Sequence, residues 1–483
     1  MSFGKSLFGI LAILLLSVSL AACSTNPATG KNQFTGLMPI AQEEQIGASE
    51  HQKIIAQFGL YDDPGLQSYV SQVGAKLARN TERPDVNYKF FVLDSPIVNA
   101  MALPGGYVYI SRGILALANS EAEMAAVMAH EIGHVTARHS AERYSHGVVT
   151  SLGAAVLSAA LDSSGASQAL GVGSNLYMSS YSRGQESESD SLGMRYMTRA
   201  GYDPSAMTAF LTSMQNESAL ESGARGNSFN YFSTHPATPQ RVAQSRQEEQ
   251  KYPRGGVTNR DTYLSQINGM TYGDSVDQGI VRDRSFYHPV IGFTFSVPQG
   301  FKIVNQPDKV AAISEQTGAV IIFDMVRRSP GVSAQDYVER GWMKDANVGA
   351  SEATSVNSRN AATAGFNGAV NGKPMSIRLM AIEWSQGQFA RFQIAIPQNA
   401  SSGLIEELKR SSYSLRALDE SERASIKPYR VRTVIAGSSH NAETLAASMP
   451  QSERKVERFR VMNGLNPGEN VTAGNRYKII VSE

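Results

Sequence analysis

The chain of 483 residues holds a single cysteine, Cys23, so no disulfide can form within it. It carries almost no excess charge: 44 Lys and Arg stand against 43 Asp and Glu, a formal net charge of +1, with both signs mixed throughout. That balance excludes the electrostatic footprint of a nucleic-acid binder. Long hydrophobic runs are also missing. The apolar stretches Leu7 to Leu20 and Gly147 to Leu161 both fall short of the roughly 20 residues that a membrane-spanning helix needs. What remains is an ordinary globular composition, 42% hydrophobic, in a chain long enough for two or three domains.

Residues 1–22 read as a signal peptide and stay outside the fold. Lys5 precedes the apolar run, which ends Leu20-Ala21-Ala22-Cys23. That ending resembles the lipobox of bacterial lipoproteins, which implies cleavage before Cys23 and a lipid anchor on Cys23. Several acyl chains on one residue hold firmly, at about 0.8 kcal/mol per buried methylene. Ser24 then implies the outer membrane, with the protein facing the periplasm. A plain secretory signal with a coincidental cysteine is the alternative. Residues 23–40, polar with Pro and Gly, are expected to be a tether.

The most informative stretch is His130-Glu131-Ile132-Gly133-His134, which reads H-E-x-x-H inside an Ala-rich helical run from Ser120 to His139. Positions i and i+4 of a helix share a face, so both imidazoles can hold one metal ion. Glu131 lies beside them, placed to reach a water on that metal, as in zinc proteases. The helix is supported independently by a capping box, Ser120 with Glu123. Gly133 costs about 1 kcal/mol relative to Ala there, which a close approach by another backbone segment would explain.

Helices are expected over Gln42 to Leu60 and Pro64 to Arg79, then strands over Tyr88 to Leu93, Val98 to Leu103 and Tyr107 to Ser111, with Pro104-Gly105-Gly106 turning between the last two. The sheet is either a plain hairpin or an edge that adds an extended peptide as a strand. Gly147 to Leu161 reads as a buried helix, with a membrane-skimming one as the alternative. Residues 162–174, rich in Gly, Ser and Ala, read as a loop.

A second cluster lies at Ser182 to Asp190, continuing as a helix to about Ala200 with Gly201 as its C-terminal cap. Asp203-Pro204 then opens the next helix. Glu186 and Asp190 share a face. A catalytic zinc site with two His needs a third ligand, and a carboxylate is one standard choice. Asp190 is then placed to accept a proton from the far nitrogen of a zinc-bound His. A solvated acidic helix start is the competing reading. His235 precedes a proline in Phe232 to Val242 and is therefore extended. It can serve a developing oxyanion, reach the metal when substrate is absent, or simply precede the helix start at Thr238-Pro239.

Taken together, His130 to His134, Ser182-Arg183 with Glu186 and Asp190, and Thr234-His235-Pro236 with Arg241 resemble the HtpX-type and prenyl-protein-protease-type zinc metallopeptidases of peptidase family M48. Asn99-Ala100 and Leu103 to Gly106 are similar to that family too, and coverage is about residues 40 to 250. The resemblance implies one zinc ion held by His130, His134 and Glu186, with Glu131 as general base, Asp190 behind the ligands and His235 near the metal in a regulatory or transition-state role. It implies Asn99 and Ala100 as substrate-binding residues. Ser189 stands where the family usually has Ala. Glu188, about 200° from Glu186 around a helix, is expected to point elsewhere.

Beyond Lys251 the texture becomes β-rich and shows no catalytic cluster. Strands are expected over Ala311 to Ser314, Ala319 to Asp324, Ser376 to Trp384 and Gln388 to Ile396, and helices near Ala334 to Trp342 and Gly403 to Ser411, arranged as a sheet with helices on one face. Val431 to Val481 has a β–α–α–β pattern and resembles a LysM-like module, although its usual Gly-Asp-Thr is replaced by Gly437 to Asn441. The fold class is therefore α+β: a signal peptide (1–22), a tether (23–40), a mainly helical zincin-type domain with a small sheet (41–255), an α+β accessory domain (256–425) and a LysM-like module (426–483). The function expected is zinc-dependent endopeptidase action on unfolded or misassembled envelope proteins. Its partners would be protein or peptide substrates, the membrane through Cys23, and peptidoglycan or envelope assembly proteins, with no nucleic acid. A non-catalytic chaperone or assembly lipoprotein with a structural metal is the alternative, and a cell-wall binder carrying a protease-like domain is a third.

Overall fold

A computed structural model describes residues 23–160, 180–222, 235–236, 238–327, 329, 331–342, 350–370, 372–385, 387–450 and 454–483. The expected loop at 162–174 and the stretch 232–234 lie outside the described residues, as does the signal peptide.

The chain enters through a short antiparallel hairpin, β1 (Cys23–Thr25) and β2 (Asn32–Phe34). This corrects the expected tether. Asn26, Gln33 and Thr35 are buried, and Lys31 pairs with Glu188 at 3.0 Å. Helix α1 (Ile40–Phe58) and helix α2 (Pro64–Ala78) follow, α2 starting where the Asp63 carboxylate accepts the Leu66 N–H. Then comes a three-stranded sheet of β3 (Lys89–Leu93), β4 (Ala100–Leu103) and β5 (Tyr107–Ser111). Its order is β3-β5-β4, so β4 is a terminal strand. The β4–β5 turn needs Gly105, whose φ is +77° and whose missing Cβ would stand 2.6 Å from the Glu44 Cα of α1.

Helix α3 (Arg112–Leu117) leads into α4 (Glu121–Thr136), the helix of the H-E-x-x-H motif. Ser120 caps α4 by accepting the Glu123 N–H, but the reciprocal half of the expected box is displaced by one residue: the Glu123 carboxylate accepts the N–H of Asn119 at 2.9 Å. The expected continuous run to His139 is broken. Arg138 adopts φ +57°, and its guanidinium is held by Glu43, Thr35 and the Met38 carbonyl, which outweigh the left-handed backbone. Helix α5 (His139–Ala160) therefore starts as a separate helix. Val149 is 49% exposed and Thr150 is exposed, so the expected burial of this stretch fails over its first residues. No helix among the described residues is long and apolar enough to cross a membrane.

Helix α6 (Arg183–Arg199) starts at a full capping box of Ser182 and Gln185; α7 (Ser205–Ser222) and α8 (Pro239–Glu248) complete the layer around α4. Gly133 has the neighbour its cost calls for: a Cβ there would lie 3.2 Å from the backbone of Ser189 in α6. Gly193 of α6 makes the reciprocal approach to the backbone nitrogen of His130. Two glycines thus bring α4 and α6 nearly backbone to backbone.

The core of this region does not stop at 255. Helix α9 (Arg260–Gln266) contributes Tyr263 and Leu264, followed by Ile267 and Met270, and strand Tyr429–Ile435 contributes Val431. That strand pairs with Thr271–Tyr272 on one side and with the last strand, Arg476–Ser482, on the other. Helices Ala442–Ala447 and Lys455–Met462 lie between them, giving the expected β–α–α–β order.

Between Tyr272 and Tyr429 the chain builds a seven-stranded antiparallel sheet and a smaller four-stranded one. Strand alternation divides the larger sheet into two cores. Ile321, Phe323, Phe392 and Ile394 pack with Leu408 of helix Ser402–Tyr413. Leu379, Ala381, Phe389 and Ala395 pack with Ala334, Val338 and Trp342. Helical segments thus cover both faces, not one. Strands Glu352–Val356 and Arg359–Val370 were not expected; their Ala, Ser, Asn and Gly content gives little β signal, and pairing with Lys373–Ser385 supplies it.

Candidate active site

Helix geometry places His130 and His134 one turn apart on α4, with their Nε2 atoms 3.0 Å apart. Because α6 lies against α4 through Gly133, Glu186 arrives opposite them. Its carboxylate oxygens are 3.5 Å from His130 Nε2 and 3.5 Å from His134 Nε2. His235, from before α8, puts Nδ1 at 3.3 Å from His130 Nε2 and 2.7 Å from Glu186. Donor atoms bound to one tetrahedral zinc stand about 3.3 Å apart. These donor separations, from 2.7 to 3.5 Å, bracket that spacing; all four side chains are buried, and their N and O donors suit zinc.

The groups behind the ligands fix which nitrogen faces the metal. His130 Nδ1 lies 2.8 Å from Asp190, whose carboxylate is held by Arg241 through Nε at 2.6 Å and Nη2 at 2.7 Å. Arg241 also reaches Glu186 at 2.6 Å. On the other ligand, His134 Nδ1 meets His139 Nδ1 at 2.8 Å, His139 Nε2 meets Glu188 at 2.9 Å, and Glu188 meets Lys31. When His139 donates to Glu188, its Nδ1 accepts from His134, which leaves His134 Nε2 free of a proton.

Burial pushes the His134 pKa well down, which favours the neutral imidazole. Burial also works against charge on Glu186, yet His235, Arg241 and His130 hold its carboxyl well below the usual range. For His130, burial is outweighed by Glu186 and Asp190, which raise its pKa. The hydrogen bond from His139 holds Glu188 down at about 2.

Glu131 is fully buried, with Oε1 3.7 Å from His235 Nε2. Tyr181 stacks on His134 at 3.6 Å between ring centroids. Glu188 points away from the metal position, as expected. Ala100 opens β4, beside α4, and Asn99 immediately precedes it; both are buried, and Asn99 is tied to Ser111. Cys23 begins β1, paired with Phe34 and remote in sequence from the ligands. Sequence reasoning missed His139, Tyr181 and the clamping role of Arg241. His139 had no periodic signal because the turn at Arg138 brings it back; Arg241 stood in the motif without an assigned partner.

Two His from one helix, a Glu from a second and a general-base candidate beside them are the donor set and base that a catalytic zinc site uses. Residues 64–249 match the model of Peptidase family M48. The chain is similar to the beta-barrel assembly-enhancing protease of Escherichia coli, 29% identical over 47% of this chain and 48% of that one. It is similar to the protein of that name from Yersinia pestis, 27% identical over 57% of this chain and 63% of the relative. It is also 30% identical to the mitochondrial metalloendopeptidase OMA1 of Schizosaccharomyces pombe, over 45% of this chain and 63% of the relative. The chain spans about half the length of the first curated relatives it matches.

Proposed function

We propose that the chain is a zinc endopeptidase of the bacterial cell envelope, acting on unfolded or misassembled envelope proteins. The observation that carries this reading is the buried convergence of His130, His134 and Glu186 with Glu131 alongside. The names of the bacterial relatives and the lipobox-like Leu20 to Cys23 support the envelope assignment.

Zinc, when bound, polarises the scissile carbonyl and acidifies the attacking water. His130, His134 and Glu186 hold the ion. Glu131 takes the proton from water and passes it to the leaving nitrogen. Asp190, fixed by Arg241, keeps the proton of His130 on Nδ1. Strand β4, which Asn99 precedes and Ala100 opens, is the edge to which an extended substrate adds. Cys23 carries the lipid anchor, and residues 426–483 are a LysM-like module. Protein substrates, the outer membrane and a glycan or assembly partner follow from these assignments.

Glu131→Gln is expected to keep zinc content and lose casein cleavage by at least about 100-fold. Unchanged cleavage would reject the peptidase reading as stated.

A further inference from the structure

The loop that delivers α4 is held from outside the family-matched region. Five consecutive carbonyls, from Leu115 to Asn119, run from the end of α3 to the cap of α4. Tyr263 donates its hydroxyl to Leu115 O at 2.6 Å. Lys478, in the last strand and fully buried, donates its ammonium group to Ala116 O at 2.8 Å, Leu117 O at 3.2 Å and Ala118 O at 2.5 Å. Arg260 donates to Asn119 O at 3.0 Å and, through its other nitrogen, to Arg476 O at 3.1 Å. Carbonyls at a helix C-terminus have no intrahelical partners, and a cation is the favoured cap. Here the cap comes from more than 350 residues away in sequence, as the separations of 360 to 362 record.

The last strand is itself held in place. Asn463 brackets Lys478 with two backbone contacts, at 2.7 and 2.9 Å, and Arg458 pairs with Glu217 of α7. Val431 lies in the same core as α4.

We propose that Lys478, with Arg260 and Tyr263, is a positioning residue for the metal helix, so that residues 429–483, whatever else they bind, are a working part of the catalytic unit. Lys478 acts through the carbonyls it holds: they fix Asn119 and Ser120, whose N–H and hydroxyl set the first turn of α4 through Glu123. Two turns further on stand His130 and Glu131. This role rests on the metal-site reading for its consequence, but not for its test.

Amide exchange in the metal-free full-length protein reads it directly. Lys478→Met is expected to speed exchange over residues 121–126 by about 10-fold, the factor that losing a buried charged hydrogen-bond group carries. Exchange in the seven-stranded sheet stays unchanged. In the zinc-loaded protein the same variant loses metal to a chelator about 10-fold faster and lowers kcat with KM preserved. Tyr263→Phe, which removes one bond and keeps the packing, gives a smaller change in the same amides, and Lys409→Met on the surface gives none. Exchange at 121–126 within twofold of the parent in both Lys478→Met and Tyr263→Phe overturns the proposal, whatever Glu131→Gln does to cleavage. If Lys478→Met does not fold, Tyr263→Phe alone decides.

Discussion

At the scale of single residues, each ligand owes its orientation to a partner behind it. His130 leans on Asp190 and Arg241; His134 leans on His139, Glu188 and, at the end of the row, Lys31. Removing a partner of this kind from a metal site typically lowers affinity by about 10- to 100-fold. Glu188→Gln is therefore expected to weaken zinc binding within that range in a chelator competition, while circular dichroism stays that of the parent. An unchanged affinity would mean that His139 sets the tautomer alone. His235 argues differently. It sits at ligand distance with Tyr181 packed beside it, and so fills the corner that an attacking water requires. His235→Ala is expected to raise the rate of casein cleavage; a fall would assign His235 to the transition state instead.

At the scale of elements, the site is a contact between two helices. Gly133 and Gly193 set its closeness, and Glu186 and Asp190 flank the Ser189 backbone that Gly133 admits. Gly133→Ala gains about 1 kcal/mol of helix propensity but forces a 3.2 Å contact apart, and overpacking of this kind costs about 1–3 kcal/mol. The expected result is a modest fall in melting temperature with a clear loss of zinc affinity, because α6 moves and takes its carboxylates along. Higher stability with full affinity would show that α6 yields without cost. Element types and approximate ends were legible from caps and periodicity: Ser120 and Thr238 each cap a helix where the sequence places a helix start. The break at Arg138 was not, since Glu43, Thr35 and Met38 come from about 100 residues earlier. Nor were strands Glu352–Val356 and Arg359–Val370, whose residues become strands only by pairing.

At the scale of the molecule, the serial division read from the sequence gives way to an insertion. Tyr272 and Tyr429 are cross-strand partners, so the chain leaves and re-enters the catalytic unit at one place. Replacing residues 273–428 by a turn of about four residues is geometrically permitted. The shortened protein is expected to fold and retain zinc, measured by metal analysis after gel filtration. Loss of zinc would make the inserted sheets a support of the site. The entry hairpin matters at this scale too. With Cys23 paired to Phe34 and Lys31 on Glu188, residues 23–34 pack on the catalytic unit and are not a free leash.

The sequence alone determined the pair of imidazoles, because i and i+4 on a helix share a face whatever surrounds them. It also marked Glu186, Asp190 and His235, through residue types that suit a metal and their order along the chain. Only the tertiary structure decided that these groups converge, that Arg241 and His139 stand behind them, and that Lys478 steadies the helix from the far end of the chain. Those contacts join segments tens to hundreds of residues apart, and they exist only once glycine-mediated packing and the completed core bring the segments together.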